Sequence, residues 1–140
     1  MLWSRLVPVT LLLLQVAYPA VAQKIEKTPI PYTSPSSGKD MFNNYCAVCH
    51  GKDAKGDGPA ASALKEAPAD LTTLAQRNKG KFPSAHVSTM ILGEADLPAH
   101  GSREMPVWGP LFRSLDSQGD LIVHQRVASL TEYIKSLQVK

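Results

Sequence analysis

The chain has 140 residues and a mass of 15.2 kDa, room for one small domain and not two. With 44% hydrophobic and 19% charged residues it is neither disordered nor collagen-like, and two cysteines cannot build a disulfide scaffold. A net charge of +3 without any Lys/Arg-rich run leaves no electrostatic footprint for nucleic acid.

Residues 1–22 read as a secretory leader. Arg5 supplies the positive start, Leu11 to Leu14 lie in the apolar stretch, and Ala20-Val21-Ala22 offers a small-x-small cleavage site. The apolar run is short for a membrane span and is interrupted by Pro8, Gln15 and Pro19. Cleavage after Ala22 predicts an exported, periplasmic protein with no stable membrane insertion. Residues 23–37 follow, with Pro29, Pro31 and Pro35 among Ser, Thr and Lys and no apolar periodicity. They predict an extended, polyproline-like or disordered arm, with 38–140 forming the domain.

The domain reads as all-α. Gly38, Phe42, Tyr45 or Cys46, and Cys49 recur at helical spacing, so 38–50 predicts a first helix capped by Ser36 or Ser37. The stretch from Gly51 to Ala69 is rich in Gly and Pro and has room for one helical turn within 60–66. Asp70 caps a short helix over 70–78, with Leu71, Leu74 and Ala75 inward. Ser84 caps another over 85–92, which Gly93 ends. Three Pro and two Gly make 96–110 a structured loop. Asp120 caps the last helix, over 121–139. Its inward face is Val123, Val127, Leu130, Ile134 and Leu137, the clearest amphipathic stripe in the chain. Short helices and long connections leave a meagre core unless something else fills the middle.

The run Cys46-Ala47-Val48-Cys49-His50 supplies that something. On a helix, Cys46, Cys49 and His50 stand at i, i+3 and i+4 and project from one side of its end. Two thiols so placed can add to two vinyl groups along one porphyrin edge, with the imidazole reaching the iron; this is the attachment signature of haem c. A structural zinc site would need a fourth ligand, a thioredoxin-like pair a βαβ setting, and a plain disulfide would not call for His50. The opposite axial position has as candidates Met41, Met90, Met105, His86, His100 and His124. Met41 lies on the first helix and cannot reach the far face, and Met90 sits on an apolar stripe. Met105 lies in the irregular loop, held extended by Pro106, and is the expected sixth ligand.

With these residues in view, the chain resembles the class I cytochrome c family over residues 38–138. Gly38-x-x-x-Phe42-x-x-x-Cys46 is similar to the family's N-terminal helix and Leu130-x-x-Tyr133-Ile134 to its C-terminal helix. The run HGSREMPVWGP resembles the methionine loop of small bacterial periplasmic members. The resemblance implies a cytochrome c-like fold with crossing terminal helices around one covalent haem. It implies that the carbonyl of Pro59, in Gly58-Pro59, accepts a hydrogen bond from the His50 ring, and that Met105 is the axial methionine. Arg103 and Trp108, which flank Met105, are candidate donors to the haem propionates.

The function implied is one-electron transfer in a respiratory chain, between a donor dehydrogenase or cytochrome complex and an acceptor oxidase or reductase. The alternatives are a haem subunit docked to a larger enzyme through the Pro-rich arm, and a ligand-binding or peroxidase-like haem protein if Met105 is labile. Lys52, Lys55, Lys79 and Lys81 give at most a mildly positive rim, because Asp53, Asp57 and Glu66 are interleaved with them.

Overall fold

The Ser37 hydroxyl accepts from the Asp40 amide at 3.2 Å, satisfying one of the donors that a helix start leaves orphaned. From there α1 runs over residues 38–50 in three joined segments. Gly38–Met41 and Ala47–His50 have α geometry, and Phe42–Cys46 between them has π geometry, with the Ala47 amide bonding back to the Phe42 carbonyl. In a computed structural model that describes residues 30–94, 105–116 and 118–139, α1 is followed by two 3-10 turns and four more helices. These helices are α2 (Leu74–Arg77), α3 (Ser84–Leu92), α4 (Trp108–Ser114) and α5 (Asp120–Ser136). The described residues contain no strand, and no helix among them is long and apolar enough to cross a membrane. The leader, residues 23–29 of the arm, and the expectations for His100 and Arg103 lie outside the described residues.

The expected elements appear, with instructive differences. The turn within 60–66 is the 3-10 turn Ala61–Ala63. The helix over 70–78 begins as the tighter 3-10 turn Leu71–Thr73 and widens into α2. Asp70 caps it, accepting from the Thr72 amide at 2.8 Å and the Thr72 hydroxyl at 2.6 Å. These two bonds favour the ionised carboxylate and hold Asp70 below its ordinary pKa. A depressed carboxyl pKa contributes stability above the unfolded-state value and loses it as pH falls through both values. We therefore expect Asp70→Asn, which still caps, to flatten the loss of urea-melt stability between pH 7 and about pH 3.

Ser84 begins α3, but Pro83 occupies the cap position, with no side-chain bond there. Gly119 likewise takes the cap of α5, leaving Asp120 to pair with Arg113, whose Nε lies 2.9 Å from its carboxylate. The larger correction is α4, which starts inside the stretch 96–110 assigned to loop. Pro110 sits in its first turn, where the missing amide would have had no helical partner.

The core forms where α1, α3 and α4 meet α5. Met41, Phe42 and Tyr45 of α1 are buried with Trp108 and Phe112 of α4 and with Val123, Val127, Leu130 and Ile134 of α5. Val87 and Ile91 of α3 close the cluster. Leu137, the last of the predicted stripe, is partly buried. Gly38 lies so near α5 that a Cβ there would sit 2.7 Å from the Ser129 carbonyl carbon and 2.9 Å from the Tyr133 Cβ. Only glycine permits that crossing, and it lets the Phe42 and Tyr133 rings meet at 5.5 Å. The Ser88 and Thr131 hydroxyls, 3.1 Å apart, join α3 to α5. The Gln138 side chain joins the end of the chain to α2, donating to the Leu71 carbonyl at 2.7 Å and accepting from the Ala75 amide at 2.8 Å.

Residues 30–37 form neither helix nor strand, turn at 34–37 where the Ser37 amide donates to the Ser34 carbonyl at 3.1 Å, and are fastened to the domain. Thr33 is buried, and its hydroxyl lies 2.7 Å from the Tyr45 hydroxyl, which in turn donates to the Pro31 carbonyl at 2.6 Å. Arg126 of α5 donates from Nη1 to the Thr33 carbonyl at 2.8 Å. This part of the arm is therefore engaged with its own domain and is not a free docking strap.

Candidate functional site

The attachment residues occupy the end of α1. Cys46 closes the π segment, and Cys49 and His50 fall in its last turn, all three half-buried and both cysteines free thiols. Burial, with Cys49 adding to it, pushes the Cys46 thiol up to about 12. Cys46 is thus a neutral thiol at physiological pH and no nucleophile of its own accord.

The last carbonyls of α1, which a helix end leaves without partners, are gathered by the loop that follows. The Gly51 amide donates to Ala47, Ala60 to Val48, Gly58 to Cys49 and Gly56 to His50, at 2.8–3.0 Å. Gly58 approaches so closely that a Cβ would meet the Val48 carbonyl oxygen at 2.5 Å and that of Ala47 at 2.6 Å. This wrapping fixes the His50 backbone from behind.

The His50 ring is fixed separately. Its Nδ1 lies 3.0 Å from the Ala69 carbonyl. A carbonyl can only accept, so Nδ1 carries the proton and the ring's lone pair stands on Nε2, the ligating tautomer. The acceptor implied by the resemblance is Pro59; that residue is exposed, and the chain returns ten positions later to present the Ala69 carbonyl to the ring. The carbonyl itself carries no side-chain signature, so nothing in the residue pattern singles it out. Burial holds the imidazole below its ordinary pKa, against the smaller opposing pull of the Ala69 bond, which keeps His50 neutral and able to ligate.

Trp108 is buried in a stack rather than standing beside a surface group. Its ring lies 5.4 Å from that of Tyr45 and 5.6 Å from that of Phe112. Tyr45 immediately precedes Cys46, so this stack ties α4 to the attachment helix. Met105 stands three residues before Trp108 and is 37% exposed, whereas Met41 is fully buried at 0%. Met41 is a core residue; Met105 is not committed to the core. Lys52, Lys55, Lys79 and Lys81 are exposed, as are Asp53 and Asp57 among them.

A family model for cytochrome c matches residues 35–138. The chain belongs to the cytochrome c family. Searches of curated proteins and of solved structures returned no match. The family carries haem c bound through two cysteines, and the residues here suit it. Two free thiols lie on one helix end, the following imidazole presents Nε2, and its other nitrogen is anchored. This cytochrome therefore carries haem c, with Cys46 and Cys49 placed as the attachment motif requires, and serves haem-based electron transfer, as the family's members generally do as carriers. Tyr45 and Ala69 are the site's supporting residues that the residue pattern did not mark.

Proposed function

We propose that this cytochrome is an exported, periplasmic one-electron carrier of a respiratory chain, with His50 and Met105 as its two axial ligands. The observation that carries the ligand assignment is the tie between Met105 and the attachment helix. Met105 opens the segment leading into α4, and Trp108 of α4 stacks on Tyr45, the residue before Cys46. The exposure of Met105 supports the same reading, since its thioether is not packed in the protein's own core.

Bound haem supplies the exchange between Fe(III) and Fe(II). The chain's residues set how readily it runs. His50 offers a fixed Nε2, and the thioether of Met105 favours Fe(II) more than a second imidazole would. The apolar wall of Tyr45, Trp108 and Phe112 disfavours the extra charge of Fe(III). Both effects raise the reduction potential and suit an acceptor at the high-potential end of a respiratory chain. Arg103 and Trp108 are the proposed donors to the propionates. The leader pattern of residues 1–22 supports export, and its cleavage predicts a mature chain that starts at Gln23.

With both axial positions filled by protein, no site is open to an exogenous ligand, which favours a carrier over a ligand-binding protein. We expect the reduced wild type to bind no carbon monoxide at neutral pH. Met105→Ala should bind it readily, lose the long-wavelength charge-transfer band of thioether ligation in the oxidised state, and fall in potential. A native oxidised spectrum in Met105→Ala would overturn the assignment.

A further inference from the structure

Arg126 is the one charged side chain among the described residues that is fully buried, at 0% exposure. The Pro-rich strap covers it. Nη1 donates to the Thr33 carbonyl at 2.8 Å and the Thr33 hydroxyl at 3.3 Å, and lies 3.7 Å from the Met41 sulfur. The guanidinium stands over the rings of Tyr32 and Phe112, at 5.1 Å and 5.9 Å from their centroids. Its compensation is incomplete. Nε and Nη2 are buried and have no hydrogen-bond partner among the described residues. The Asp116 carboxylate comes to 3.9 Å of Nη2, beyond hydrogen-bonding distance.

A guanidinium cannot escape this cost by losing its proton, so the charge is permanent. Its surroundings lead directly to the attachment helix. Phe112, under the guanidinium, packs on Tyr45 at 5.8 Å, and Tyr45 adjoins Cys46. Tyr45 also shares the Thr33 hydroxyl with Arg126. Met41, in contact with Nη1, lies on the same helix as Cys46, about 8 Å along its axis. The region between is apolar and aromatic, and so a poor screen.

We propose that Arg126, sealed under the strap at 30–37 and only partly neutralised by Asp116, is a potential-setting residue whose buried positive charge shifts the iron couple towards Fe(II). The strap's part is to keep water from the guanidinium, so that its field is felt at the attachment helix. The proposal rests on the electron-transfer reading above.

The test is redox titration of the holoprotein and its variants at low and high ionic strength. Arg126→Gln should lower the equilibrium constant for reduction by about fivefold or more, the order expected of one buried charge felt through a medium with an effective dielectric constant near 20. Asp116→Asn removes the partial counter-charge and should move the potential the opposite way. Arg126→Lys, which keeps the charge, should restore most of the wild-type value. The shifts should survive high salt, because the charge is buried. If Arg126→Gln does not fold, Asp116→Asn and Arg126→Lys carry the test alone. A potential unmoved by Asp116→Asn, shifts of the same sign in both neutral variants, or shifts abolished by salt would overturn the proposal. Absence of a reversible couple in the wild type would instead overturn the electron-transfer reading.

Discussion

Replacing Cys46 and Cys49 together by alanine is expected to leave a chain with no covalent haem and little of its native helix. The structure explains why the loss should be so large. Two of the three segments of α1 and the whole of α2 are four residues long, too short to hold as isolated helices, since each pays a nucleation cost that only tertiary contact offsets. The protein's own core gathers mainly where α1, α3 and α4 meet α5. The loop from Gly51 to Ala69 is held largely by its backbone bonds to the end of α1 and by the His50 ring. Cys46 and Cys49 would hold haem c covalently, and the bound group would supply a large apolar body that the short elements lack. Circular dichroism together with haem staining of a denaturing gel reads both effects. Native helicity in a haem-free double variant would show that the protein core suffices by itself.

Gly38→Val should be nearly as damaging, although it lies about two to three turns from the attachment cysteines. A Cβ at position 38 collides with the Ser129 backbone and with the Tyr133 Cβ. Neither is the loose end of a flexible side chain, so α1 and α5 must part. Parting them breaks the Phe42–Tyr133 contact and loosens Leu130, which is fully buried at the crossing. We expect a loss of about 3 kcal/mol, at the upper end of what overpacking costs. That is a large share of the roughly 5–15 kcal/mol by which small domains are stable. Chemical denaturation of the holoprotein, followed by helicity, measures it. Unchanged stability would mean that the crossing is not a close backbone contact.

The features legible in the residues were the local ones. Cys46, Cys49 and His50 fall within five consecutive positions, so helix geometry alone brings them to one side. The stripe from Val123 to Ile134 repeats at helical spacing, and four of its residues are buried as expected. Arg126 interrupts that reading. By spacing Arg126 lies beside the stripe, three positions after Val123 and four before Leu130, but a charged residue there is ordinarily solvated; it is fully buried because a segment ninety-three positions earlier lies across it. The helix α4 was hidden by Pro110, whose position in the first turn makes it harmless. The π geometry of Phe42–Cys46 has no residue signature.

What the sequence by itself determined is the covalent chemistry and the all-α character, because both are encoded by spacing along a single element. What only the tertiary structure decided is which carbonyl orients the His50 ring, which charge is buried, and what the Pro-rich segment does. Those depend on segments far apart in the chain meeting in space. There the partners are backbone carbonyls and covered surfaces, which leave no pattern in the order of residues.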